Sequence, residues 1–316
     1  MSKLIRGVHP IIYALFDAKG ALDRDAMRRQ IEVCLGQGAV GITTLGLATE
    51  VRYLSAEQRR QVVEWNAEDI GGRVPLGVTI FADTPEEQIA LVEHAASTGA
   101  DWVIVQAPAT ATDEASLIRD FSTVLEATPL PAALQNMPQF LGVGLSVDSI
   151  TQLASKYSKL IGMKQEVSAL ETAALIESTG DAVQVFSGRG GLELVDCMIA
   201  GIAGHIPAPE YADYLVELWN LMEQGSEDEA RAVYERVLPV ATFILQSLEG
   251  LTTYGKLLFC LRNHIPFHQR PDAMRPTAFG IRALSAYAAR LGVDTSDWAE
   301  QLPAALRAGL TKMQPA

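Results

Sequence analysis

The stretch "PLGVTIFADTPEEQIALVEHAASTGADWVIVQA", residues 75–107, holds the pattern from which the fold is read. Residues 75–80 form a short apolar run. Thr84 follows, with Glu87 three positions later, the spacing of a helix-capping box. A helix-patterned segment then runs to Gly99, where a C-cap is expected. A second apolar run, residues 102–107, closes the unit. Strands that are apolar throughout belong to a parallel sheet covered on both faces. Working outward, strand-like runs recur at 11–16, 40–45, 131–136, 160–164, 183–187 and 203–206, with helix-patterned segments between them. Several of these segments open on Ser, Thr or Asp, as N-caps do, and Ser55 with Gln58 repeats the capping-box spacing. Eight strand–helix repeats predict a closed (β/α)8 TIM barrel. A doubly wound open sheet would place a glycine-rich phosphate loop after its first strand. Here "FDAKGALD", residues 16–23, stands there and reads as a turn. Beyond about residue 209 only helical patterns remain. The expected organisation is a barrel over residues 1–225 and a C-terminal helical appendage over 226–316.

Composition narrows the function classes. The 316 residues are 48% hydrophobic and 20% charged, ordinary for a globular chain. A net charge of −13 argues against nucleic acid or an anionic membrane as partner, though not against a small anion in a locally positive pocket. Cys34, Cys197 and Cys260 are too few and too scattered for a disulfide framework, and a reducing cytoplasm is expected. The N-terminal "MSKLIRGVHPIIYALF" shows no signal-peptide pattern, and no apolar run reaches membrane-spanning length. The histidines at 9, 94, 205, 264 and 268 lack metal-ligand spacing.

The sixth strand-like run raises a chemical question. "LIGMKQEV", residues 160–167, places Lys164 directly after an apolar tetrad, whereas most of the seven lysines sit in polar or terminal stretches. The C-terminal end of a barrel strand is where active sites are built. Desolvation disfavours the ammonium form of a lysine, and a neutral amine can attack a carbonyl. The resulting imine withdraws electrons from the neighbouring carbon. Alternatively, the lysine snorkels to the rim or pairs with Glu166, which faces the same way on an extended strand. Lys256, in "TTYGKLLF", is a second candidate for a buried amine, but it begins a helix and is expected to pack the appendage.

"LIGMK" resembles the strand that carries the Schiff-base lysine of the dihydrodipicolinate synthase and N-acetylneuraminate lyase family. The resemblance spans nearly the whole chain and keeps its order. It runs through "GVHPIIYALFDAKGALD", "LGLATEVRYLSAEQRRQVVE", "LQNMPQFLGVGLS", "FSGRGG" and "AGIAGHIPAPE". It implies a barrel with C-terminal helices, a homo-oligomer (tetramer or dimer), and neither metal nor organic cofactor. The implied activity is that of a lyase, with a small 2-oxo acid, pyruvate or a 2-keto-3-deoxy sugar acid, bound as an imine on Lys164. It assigns carboxylate binding to the loop at Ala48, Thr49 and Glu50, through backbone N–H groups and the Thr49 hydroxyl. Gly188 and Ile206 match positions whose backbone lines the 2-oxo acid site. Arg189, between glycines, would clamp a distal substrate group or else form an ion pair.

Two departures make this a divergent member. The paired hydroxyls of the family's "GTTGE" loop become Leu47 and Ala48. The tyrosine of its "YN" pair becomes Gln135, which hydrogen-bonds but does not carry a proton as tyrosine does. A second relay tyrosine is replaced near Ala109. A typical dihydrodipicolinate synthase is therefore not expected. "QN" together with "KQE" resembles dehydratases of 2-keto-3-deoxy sugar acids, with Glu166 as acid or base or as a partner of the lysine. Aldolase and dehydratase both stay open at this point. So do a non-catalytic 2-oxo acid sensor and a phosphate-substrate isomerase on the same barrel.

Overall fold

The computed structural model describes residues 6–307. Lys3, Lys312 and the last residues of the predicted terminal helix lie outside that range. Eight parallel strands run in chain order: β1 Gly7–Val8, β2 Ile42–Thr44, β3 Leu76–Ile80, β4 Trp102–Val105, β5 Ala132–Asn136, β6 Leu160–Gln165, β7 Gln184–Ser187 and β8 Gly204–His205. Each pairs in parallel with its neighbour from β2 to β8, and β8 returns to β1. The ring closes between β1 and β2. Val40 N–H donates to Val8 O at 3.1 Å, Thr43 N–H to Pro10 O at 2.9 Å, and Ile12 N–H to Thr43 O at 3.0 Å. The fold is the predicted TIM barrel, its strands alternating with helices and followed by C-terminal helices.

The first strand differs from its sequence reading. The ladder lies at Gly7–Val8, while residues 11–16 keep only isolated bridges at Ile11 and Phe16. Pro10 has no N–H to donate, so the ladder stops before it. Beyond it Ile11 and Ile12 still donate to neighbouring backbone, while the carbonyl of Ile12 and both groups of Tyr13 are satisfied by side chains. Gln30, from the helix Arg24–Gly36, donates to Tyr13 O at 2.9 Å and accepts from Tyr13 N–H at 2.9 Å. Thr49 Oγ1 donates to Ile12 O at 2.6 Å.

The helices between strands begin at the expected caps. Asp23, Ser55, Thr84, Asp113, Ser146 and Ser168 each accept a first-turn N–H. Ser55 and Gln58 complete a reciprocal box, but Glu87 reaches the N–H of Asp83, so Thr84 caps alone. Inside the barrel, Trp102 stacks on Phe186 with centroids 5.5 Å apart, and His9 meets both rings edge-on.

After the helix Ala212–Glu223 comes the long helix Glu227–Ile244. A short turn at Leu248–Gly250 and a π-helical turn at Leu251–Gly255 lead into the buried helix Lys256–Arg262. The helix Ala278–Leu291 packs back on the long helix. Among the described residues, no helix is long and apolar enough to cross a membrane.

Candidate active site

Strand β6 buries Lys164 at its C-terminal end, opposite Gln135 of β5 and Phe186 of β7. The next residue facing the same way, Glu166, is also buried, and its Oε1 lies 2.9 Å from Lys164 Nζ. Gly188 makes room for this carboxylate. A Cβ there would stand 2.8 Å from Glu166 Cγ.

A file of amides leads to the pair. Gln106, at the end of β4, donates to Gln135 Oε1 at 2.8 Å, and Gln135 donates to Glu166 Oε1 at 2.6 Å. Gln88, from the helix Pro85–Thr98, donates to Gln106 O at 2.8 Å. Carboxylate oxygens only accept, so the direction of donation through Gln135 is fixed. Glu166 Oε1 thus receives the lysine and an amide together, while Gln139 donates to Glu166 O at 2.9 Å.

Lys164 and Glu166 face a cavity of about 310 Å³ at the C-terminal ends of the strands. Ala48 and Leu47 from the loop after β2, Arg189 from the loop after β7, and Ile206 beyond β8 also line it. So do Leu245, Leu248 and Leu251 from the C-terminal helical region.

The loop from Leu45 to Glu50 is held under backbone strain. Leu45 and Glu50 both adopt the left-handed region, at φ of 60° and 56°. A Cβ at Gly46 would stand 2.1 Å from Ile11 Cδ1. The Thr49 hydroxyl is committed to Ile12 O. Glu50 turns away from the cavity and pairs with Lys256 and, at 2.9 Å, with Arg270. Neither Thr49 nor Glu50 brings a side chain to the cavity wall, whereas Ala48 does. No hydrogen bond within the described protein occupies the N–H of Ala48 or Thr49.

Arg189, Gly190 and Gly191 take left-handed backbone in succession. Arg189 sits at the cavity wall, a quarter exposed, with Glu193 at 3.2 Å. His205 lies beneath, fully buried, with Nδ1 2.8 Å from Ser187 Oγ. Burial pushes its imidazole down to about 3, so it is neutral. Lys256 is a structural cation: it is buried, burial lowers its ammonium while Glu50 opposes that shift, and the rings of Tyr13 and Phe16 flank it. Among the described residues, no three His, Cys, Asp or Glu side chains converge as metal ligands.

Sequence reasoning named Lys164, Glu166, Gln135, Ala48, Arg189 and Ile206 but missed Gln106, Gln139 and the leucine wall. Gln106 carried the same signal as Lys164, a polar residue closing an apolar strand run. The leucines carried none, because positions near 47, 192 and 245–251 meet only in the fold.

Known proteins resemble this chain over most of its length. The model of the dihydrodipicolinate synthetase family matches residues 4–253. The chain belongs to that family. A 4-hydroxy-tetrahydrodipicolinate synthase of Methanothrix thermoacetophila is 30% identical over 242 residues, covering 75% of this chain and 81% of the relative. The putative 2-dehydro-3-deoxy-D-gluconate aldolase YagE of Escherichia coli is 27% identical over 248 residues, covering 76% and 81%. Among solved structures, a putative dihydrodipicolinate synthetase from Pseudomonas aeruginosa superposes with a TM-score of 0.85 at 26% identity, covering 91% of this chain and 99% of that one.

Proposed function

We propose that this chain is a lyase that binds a 2-oxo acid as an imine on Lys164. The observation that carries this reading is a buried lysine amine facing a cavity with a single carboxylate 2.9 Å away. The synthase and aldolase names of its relatives point to the same class of reaction.

Lys164 passes a proton to Glu166, and its amine attacks the keto carbon. Glu166 gives that proton to the departing hydroxyl, so loss of water leaves the protonated imine and an ionised Glu166. The open N–H groups of Ala48 and Thr49 receive the substrate carboxylate. Thr49 and Glu50 act through the loop, one through its hydrogen bond to Ile12 O and the other through its ion pairs. For carbon–carbon cleavage, Glu166 takes the proton of the carbon-4 hydroxyl, and the bond between carbons 3 and 4 breaks. An aldehyde leaves, and the electron pair stays as an enamine. Glu166 returns the proton to carbon 3, and water hydrolyses the imine to release pyruvate and free Lys164. Gln135 holds the Glu166 carboxylate in place, where relatives with tyrosine would move the proton through the phenol. Gly188 and Ile206 shape the floor, and Arg189 stands at the wall.

A dehydratase is the second reading, favoured by the Gln135 and Glu166 arrangement. There, the carbon-3 proton leaves to Glu166 and the carbon-4 hydroxyl departs as water. We further propose a homo-oligomer, dimer or tetramer, which light scattering would size.

The test is exchange of the pyruvate methyl protons in heavy water, followed by NMR. Exchange that is lost in Lys164→Met supports imine and enamine formation. A protein that binds pyruvate without exchange is a sensor, and the catalytic reading falls.

A further inference from the structure

Lys164, Glu166 and Gln139 cluster in one part of the cavity, and leucines make up much of the remaining wall, with Arg189 and Ser247 among them. Leu47, Leu192, Leu245, Leu248 and Leu251 line it together with Ile11. The first four of these leucines are only partly buried, although they line the cavity that holds Lys164 and Glu166. Their uncovered apolar surface is turned toward the cavity.

Each remaining polar side chain on the wall has one partner in the protein. Gln139 donates to Glu166 O at 2.9 Å, Arg189 pairs with Glu193 at 3.2 Å, and Ser247 Oγ accepts from Gly250 N–H at 3.0 Å. A chain of hydroxyls buried here would lose water and find few replacements, which is unfavourable. An aryl or branched alkyl group would cover the leucines and gain from burial.

The wall is also built to stay. A Cβ at Gly190 would stand 2.6 Å from Leu245 Cδ1 and 2.9 Å from Tyr211 Oη, so glycine there lets Leu245 pack inward. Ser247 caps the turn that carries Leu248. The cavity's volume, about 310 Å³, is at the small end of the usual ligand range of about 300–1,000 Å³, which suits one modest substituent beside the 2-oxo acid.

We infer that the substrate is a 4-hydroxy-2-oxo acid bearing an apolar substituent at carbon 4, cleaved to pyruvate and an apolar aldehyde. This rests on Lys164 forming the imine. The balance is that of a retro-aldol step: the carbon 3 to carbon 4 bond breaks, the hydroxyl proton moves to carbon 3, and no oxidant or reductant enters.

The experiment titrates borohydride trapping on Lys164 with pyruvate, 2-oxo-4-phenylbutanoate and 2-keto-3-deoxygluconate, reading the adduct by mass. The expected half-saturating concentration of the phenyl acid is at least about tenfold below that of the sugar acid. Leu248→Ser is expected to shrink that ratio. Pyruvate trapped with the sugar acid bound as tightly as the phenyl acid, or tighter, overturns the apolar-substrate inference and leaves the imine reading standing. Failure to trap pyruvate at all overturns both.

Discussion

Glu166 is the residue on which turnover depends after the imine has formed. It is the carboxylate within reach of Lys164, and Gln135 cannot take its place as a proton carrier. Glu166→Gln is expected to lower kcat by about 10²- to 10⁴-fold, the usual share of a general acid or base. Borohydride would still trap pyruvate on Lys164 in this variant, more slowly because the lysine has lost its proton acceptor, but with a smaller loss than that of turnover. Equal loss of trapping and turnover would instead make Glu166 a partner of the lysine only. At this scale the sequence was legible wherever a polar residue ended an apolar strand, as at Lys164 and Gln135. It left the side chains of Thr49 and Glu50 open between the cavity and the loop. Their position in the loop motif is familiar, but their side chains serve the loop's own anchorage.

At the scale of elements, the least regular part of the barrel is its first strand. Pro10 ends the ladder, and Gln30 then supplies both hydrogen bonds of Tyr13 from a neighbouring helix. Gln30→Leu leaves a buried N–H and a buried C=O unpaired, each worth about 1–3 kcal/mol, so a loss of about 2–6 kcal/mol is expected. A lower urea midpoint at unchanged slope would show it. An unshifted midpoint would mean that the backbone finds other partners. Strand positions elsewhere agreed with the apolar runs to within about two residues. The run at 11–16 failed because its burial resembles that of a strand, while its hydrogen bonds are split between neighbouring backbone and the side chains of Gln30 and Thr49. Apolar pattern reports burial, and the hydrogen-bond partner is not written in it.

Across the whole molecule, two buried charge sites tie the appendage to the barrel and set the pH response. Glu50 of the β2 loop is held by Lys256 and Arg270, from beyond the long helix. Lys256→Met would leave a buried carboxylate with one partner, and a loss of about 3–5 kcal/mol is expected in denaturant unfolding. The second site is Glu210, fully buried, where Tyr13 Oη–H donates to its Oε2 at 2.7 Å. Burial pushes its carboxyl from 4.5 up to about 7, with the Tyr13 hydrogen bond and Arg262 opposing. Between about pH 4.5 and 7 the unfolded chain has released this proton while the folded chain keeps it. Rising pH therefore works against folding across that window, and the loss is complete above about 7. At about 1.4 kcal/mol per tenfold change in proton affinity, this amounts to as much as about 3 kcal/mol. Glu210→Gln is expected to flatten stability measured by urea unfolding across the window. A variant with the same slope as the parent would place the titration elsewhere. These ties join residues 206 or more positions apart for Glu50 and Lys256, which is why the sequence showed neither.

The central claim is that, of the two buried lysines among the described residues, Lys164 is the reactive one. Mixing the protein with pyruvate and borohydride, then mapping peptides by mass, tests it most directly. The account predicts a reduced adduct on Lys164 and none on Lys256, which Glu50 holds as an ion pair. An adduct on Lys256, or no adduct on either, would contradict it.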